Sequence, residues 1–89
     1  MYYVITFPTT HLALKYDKTI KKNGLNSKLI PVPRKLSSNC GFCGQVYTKK
    51  ELFQILELCS TEGIKVESAY AIPEDRKKAP ERIQVGQLQ

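Results

Sequence analysis

Two stretches of this 89-residue chain repeat one another in outline, and that echo limits the folds open to it. Each begins with threonine, continues as an amphipathic segment, breaks at glycine, and is followed by a β-prone run that meets proline. In the first stretch Thr9 or Thr10 can offer a hydroxyl to an orphan amide, and Leu12, Ala13, Tyr16 and Ile20 then fall on one helical arc. Lys15, Lys18 and Lys22 line the opposite side, and Asn23-Gly24 closes the helix. In the second, Thr48-Lys-Lys-Glu51 has the spacing of a capping box. Leu52, Phe53, Ile55, Leu56 and Cys59 then give a broad apolar face, which Gly63 ends. The β-prone runs Leu25–Val32 and Ile64–Ile72 follow the two glycines and meet Pro31 and Pro73.

Two shorter runs complete the pattern. Tyr2–Phe7, stopped by Pro8, is rich in aromatic and β-branched residues on both faces, as a central strand requires. Gly44-Gln-Val-Tyr47 reads as another strand. The order is β-α-β-β-α-β, which predicts an α+β, ferredoxin-like sandwich: two helices on one face of a four-stranded antiparallel sheet. Residues 1–72 make this single domain. Residues 73–89 form a charged C-terminal tail, mobile or docked as an extra strand through Ile83-Gln-Val85.

The connection between the middle strands holds the chemistry. Ile30–Gly44 contains two of the three cysteines and two of the five prolines. Pro31 and Pro33 predict an extended exit without ladder hydrogen bonds. Gly41 and Gly44 would let the backbone approach a ligand or take positive φ. Between them lies Cys40-Gly41-Phe42-Cys43, a C-x-x-C. Such a pair can close a small disulfide, supply half a metal site, or set a nucleophilic thiol beside a resolving one. Counted as Val32–Cys43, the loop reaches the length of about twelve residues at which connections in compact domains are usually functional or disordered.

Charge and composition narrow the classes. Residues 1–50 carry nine lysines and arginines against the single acid Asp17, while the remainder carries five against seven acids. The half that holds the cysteine loop would therefore stabilise a thiolate and attract acidic partner surfaces, anions or nucleic acid. No apolar stretch is long enough to span a bilayer, and Met1–Pro8 lacks the basic flank of a signal peptide, so a soluble cytoplasmic protein is expected. An odd number of cysteines argues against a secreted disulfide framework. A thioredoxin-like site needs its pair to open a helix, whereas here a strand follows. A zinc site needs four ligands. One histidine and a distant Cys59 besides the pair leave zinc to completion across a homodimer or by solvent. The third strand lacks the aromatic motif of RNA-recognition sheets, so nucleic acid is disfavoured as a partner.

Single residues carry two readings each. Cys59, on the apolar arc, reads as core. His11, in the first turn of the first helix, is either a surface residue or, if the helix start faces the loop, a proton shuttle. Arg34 is either a solvated charge or an anion clamp, and Ser37 and Ser38 either form a turn or donate to the same anion.

The segments Phe7-Pro-Thr-Thr-His-Leu-Ala13, Leu29-Ile-Pro-Val-Pro-Arg34 and Leu36-Ser-Ser-Asn-Cys-Gly41 resemble a family of small bacterial proteins described as selenium/sulfur carrier-like. The resemblance runs to about Tyr70, excludes the tail, and is most specific at Pro-Arg-x-x-Ser-Ser-x-Cys-Gly. It implies that Cys40 is the carrier thiol, that Arg34, Ser37, Ser38 and Gly41 shape its pocket, and that His11 lies nearby. Cys43 as a resolving thiol rests on spacing alone. The expected function is a carrier rather than a catalyst, holding the chalcogen as a Cys40 persulfide or selenenylsulfide and relaying it to an acidic-surfaced donor or acceptor protein. It needs no cofactor and no resident metal. The alternative is a thiol-based module that binds zinc or an anionic ligand, with a homodimer completing the site.

Overall fold

The computed structural model describes residues 1–36, 40–75 and 77–84. Its elements are β1 (Tyr2–Thr6), α1 (Thr10–Lys22), β2 (Ser27–Pro31), β3 (Phe42–Val46), α2 (Lys49–Thr61), β4 (Ser68–Ile72) and β5 (Glu81–Ile83). The strands form one antiparallel sheet in the order β2-β3-β1-β4-β5. The chain is thus α+β with two helices, and the sheet has five strands where four were expected. The fifth comes from residues read as tail: Ala69, Tyr70 and Ala71 pair with Ile83, Arg82 and Glu81.

The echo between the two halves has a local cause. Thr9 and Thr48 are both extended N-caps whose hydroxyls accept from the amide three residues on, Leu12 at 3.3 Å and Glu51 at 3.1 Å. Both helices also end in the same way. Gly24 and Gly63 take φ of +66° and +70°, and the amides that follow, of Leu25 and Ile64, donate back to the carbonyls of Ile20 and Cys59. That is a Schellman closure, which glycine permits without strain. It turns Leu25 and Ile64 inward, where Ile64 is core and Leu25 packs on it.

Side chains alternate across a strand, so the register divides the sheet into two faces. Tyr3, Ile5 and Phe7 lie on the helix side with Val46 and Ala69, and one cluster joins them to Ala13, Tyr16 and Ile20 of α1 and Leu52, Ile55, Leu56 and Cys59 of α2. The opposite face carries Val4, Thr6, Cys43, Tyr70 and Ile72. Of these Val4, Thr6 and Cys43 are fully buried although no helix covers them. Beyond them Pro33, Arg34 and Lys35 share a groove with Ile72, Pro73, Asp75, Lys78 and Pro80, and the Lys35 ammonium donates to the Lys78 carbonyl at 3.4 Å.

Four expectations need correction. Pro31 is not outside the ladder: it is the last residue of β2, opposite Phe42, on an outer strand where its missing N–H is tolerated. β3 begins at Phe42 rather than Gly44, so Cys43 is a strand residue. β4 begins at Ser68 rather than Ile64, because Ile64 and Val66 enter the core instead of pairing. Phe53 is 39% exposed and not on the buried face of α2, since Leu52, Ile55, Leu56 and Cys59 already fill it.

Gly44 does admit a close neighbour, but not by positive φ and not a ligand. The Tyr16 ring lies over it, and a β-carbon there would come within 2.6 Å of Tyr16 Cε2. The Tyr16 hydroxyl donates to Ser27 Oγ at 2.6 Å, and that hydroxyl donates to the Gln45 carbonyl at 2.7 Å. This chain ties α1 to β2 and β3. Phe7 adds a tilted ring contact with Tyr16 at 4.9 Å.

Candidate functional site

The candidate site forms where the β2–β3 hairpin loop returns to the sheet. The ladder extends one step past the strands, as Val32 N–H donates to the Gly41 carbonyl at 3.1 Å. Cys40 therefore emerges just beyond the end of β3, beside the point where β1 leads through Phe7 and Pro8 into α1. Its side chain turns toward the helices and joins the core cluster, with 2% of its surface exposed. The Cys40 thiol donates to Thr10 Oγ1 at 3.9 Å. Thr10 is the first residue of α1, so the sulfur lies against the start of that helix. No acidic side chain occupies the first turn of α1, and the partial positive charge of a helix start favours an anion there.

Cys43 has a different setting. It sits in the β3 ladder between Ile30 and Thr6 and belongs to the face away from the helices. Burial pushes its thiol up to about 12, and the nearby Cys40 adds to the shift. A disulfide needs facing β-carbons at short range, and here the two side chains belong to opposite faces, Cys40 in the helix-side cluster and Cys43 not. Cys59 lies in the core cluster, and burial pushes its thiol up to about 12 as well. All three are present as thiols.

The other predicted site residues are spread out. His11 is exposed and lines a shallow concavity of about 260 Å³ with Leu14, Lys15 and Lys18, on the lysine side of α1. Arg34 is exposed in the turn after Pro33 and lines a separate groove with Ile72 and Pro80. Gly41 is exposed, with open space where a β-carbon would stand. Ser37 and Ser38 lie outside the described residues. Among the described residues no group of three or more His, Cys, Asp or Glu is arranged to hold a metal ion. No described helix is long and apolar enough to cross a membrane.

Thr10 was missed from the sequence. Its one signal was the doublet Thr9-Thr10: a single hydroxyl suffices for the cap, and Thr9 supplies it, which leaves Thr10 for the cysteine.

Comparison with curated proteins and with solved structures returned no match. Comparison with protein families matched one, described as "Putative Se/S carrier protein-like", over residues 2–71. The matched span begins with β1, ends one residue short of the end of β4, and takes in the whole cysteine loop. On that match the chain belongs to the Se/S carrier protein-like family.

Proposed function

We propose that the protein carries sulfur or selenium on Cys40 and hands it to a partner protein. The observation that supports this reading is the placement of the Cys40 sulfur at the start of α1, within 3.9 Å of the Thr10 hydroxyl. A persulfide is more acidic than a thiol and carries its charge on the outer atom. Helix amides and a hydroxyl able to reverse its hydrogen bond suit that anion.

In loading, the Cys40 thiolate attacks the outer sulfur of a donor persulfide, R–S–SH. The Cys40 S–S bond forms, the donor S–S bond breaks, and R–S⁻ leaves with the electron pair. A donor of form R–S–SeH delivers selenium by the same exchange, so no external oxidant enters. In unloading, an acceptor thiolate attacks the outer chalcogen and the Cys40 thiolate departs. Release by Cys43 instead, expelling hydrosulfide and leaving a Cys40–Cys43 disulfide, would need the two side chains to turn toward each other and a reductant to reset the pair. Direct handover needs neither. Because Cys40 is only 2% exposed, both exchanges require its sulfur to become more accessible than it is at rest.

In this reading Arg34, Ser37, Ser38 and Gly41 serve the carried anion, and His11 serves at the rim. Acidic-surfaced donor and acceptor proteins of the cytoplasm meet the basic half of the chain. The β2-β3-β1-β4 portion is then a ferredoxin-like scaffold extended by β5.

The test is intact-mass measurement of the reduced protein after incubation with a small-molecule persulfide donor. A gain of one sulfur that persists in Cys43→Ser and vanishes in Cys40→Ser is expected. Equal sulfur uptake by Cys40→Ser would overturn the reading. Stoichiometric zinc in protein purified without added metal would favour the metal-binding module instead.

A further inference from the structure

The groove on the face away from the helices differs from the cysteine site in chemistry. It measures about 390 Å³ and is lined by Pro33, Arg34, Lys35, Ile72, Pro73, Asp75, Lys78 and Pro80. Three of these are prolines, whose fixed φ pre-forms the walls. With Ile72 they give an apolar floor of a size that takes one large side chain. The rim is cationic: Arg34 and Lys78 are exposed there and make no ion pair among the described residues. The one acid, Asp75, is engaged by its own turn, accepting from Lys77 N–H through Oδ1 at 2.9 Å and from Lys78 N–H through its carbonyl at 3.1 Å.

We infer that this groove docks an acidic segment of a partner protein, which inserts one aliphatic or aromatic side chain between the prolines and sets its carboxylates against Arg34 and Lys78. Each part of the occupant follows from the lining. An apolar floor without an aromatic platform does not stack nucleobases, as single-stranded nucleic acid sites do. A purely ionic ligand would leave the floor wet. A peptide with both features gains burial from the floor and orientation from the rim. Arg34 also belongs to the connection that leads to Cys40, so a docked segment is placed on the same β2–β3 connection as the carrier thiol. That last link rests on the carrier reading; the docking itself does not.

The experiment titrates the isotope-labelled protein with a panel of seven-residue peptides, each holding one Leu, Phe or Trp flanked by Asp and Glu. Amide shifts read the binding. Shift changes are expected at Arg34, Lys35, Ile72 and Lys78, with affinity lowered at least fivefold by Lys78→Glu and unchanged by Lys15→Glu. Peptides with the apolar residue replaced by Ser should bind at least fivefold more weakly. The inference is overturned if no peptide of the panel binds, if Lys15→Glu weakens binding as much as Lys78→Glu, or if the Ser peptides bind equally well. Preferential binding to anionic vesicles with the same residues shifted would also overturn it, in favour of a membrane surface. Cys40→Ser, which removes the carrier thiol, is expected to bind the peptides as wild type does, and Lys78→Glu to accept sulfur as wild type does. Failure of docking and failure of the carrier reading are thus told apart.

Discussion

The two helices begin on the same kind of cap but use their first turns differently. At α2 the Thr48 hydroxyl accepts from the Glu51 amide at 3.1 Å and reaches the Glu51 carboxylate at 2.9 Å. The positive end of that helix is answered by its own side chain. At α1 the Thr9 hydroxyl accepts from Leu12, the first turn holds no acid, and the next group along is the Cys40 sulfur at Thr10. One start is closed on its own side chain; the other has no acid of its own and lies beside a thiol. In the carrier reading, the helix end that serves the cargo is marked by what its first turn lacks as much as by what lies against it.

The largest expected effect comes from breaking the packing that holds α1 in register with β3. Gly44→Ala would drive a methyl into the Tyr16 ring, and overpacking of this kind costs about 1–3 kcal/mol. Urea unfolding should show the loss, and an unchanged midpoint would mean that the ring contact is not tight. Thr9→Ala comes next. Loss of the cap should cost about 1 kcal/mol and loosen the helix start beside Cys40, so sulfur loading should slow as well. Its counterpart at α2, Glu51→Ala, should cost about 0.5 kcal/mol or less and leave loading untouched. Equal effects of the two on loading would erase the contrast.

Making α1 resemble α2 sharpens the comparison directly. Thr10→Asp adds a carboxylate to the open start, where it should raise the thermal midpoint slightly and oppose the anion on Cys40. A helix-end charge is worth about 0.3–1 kcal/mol, so loading should slow about twofold to fivefold. Faster loading would show that the helix start plays no part.

Alkali tests the same packing without mutation. Burial pushes Cys43 and Cys59 from 9.0 up to about 12, and it raises the Tyr16 phenol too. The folded chain keeps these protons where the unfolded chain releases them. Stability is therefore full below about pH 9 and falls as pH climbs toward 12. Urea midpoints at pH 7.5 and 10.5 should differ in that direction, and Cys59→Ala should reduce the difference.

Local signals made the helices legible: the cap threonines, the apolar arcs and the closing glycines all lie within one turn of the events they control. Strand starts were less so. Ile64 and Val66 look like strand residues but are consumed by the core, and Phe42-Cys43 looks like loop but belongs to β3, with Cys43 paired on both sides. The hairpin from which Cys40 projects was readable. Its meeting with Thr10, thirty residues earlier in the chain, was not, because it depends on how β3 pairs with β1. Gly44 shows the same limit, since a glycine read as room for a ligand is instead room for Tyr16.

Pro31 closes off one route by which other chains could join this one. In β2 the N–H groups of Lys28, Ile30 and Val32 face β3, which leaves Leu29 N–H and the Pro31 nitrogen on the outer side, while Ser27 N–H donates to the Leu25 carbonyl at 3.2 Å. At the end nearest the cysteine loop that rim has a proline ring where an added strand would need a donor. Runaway edge-to-edge stacking, the hazard of any exposed outer strand, is interrupted at that end of the rim. In the carrier reading, a partner reaching Cys40 would be received by side chains and would leave without having been woven into the sheet.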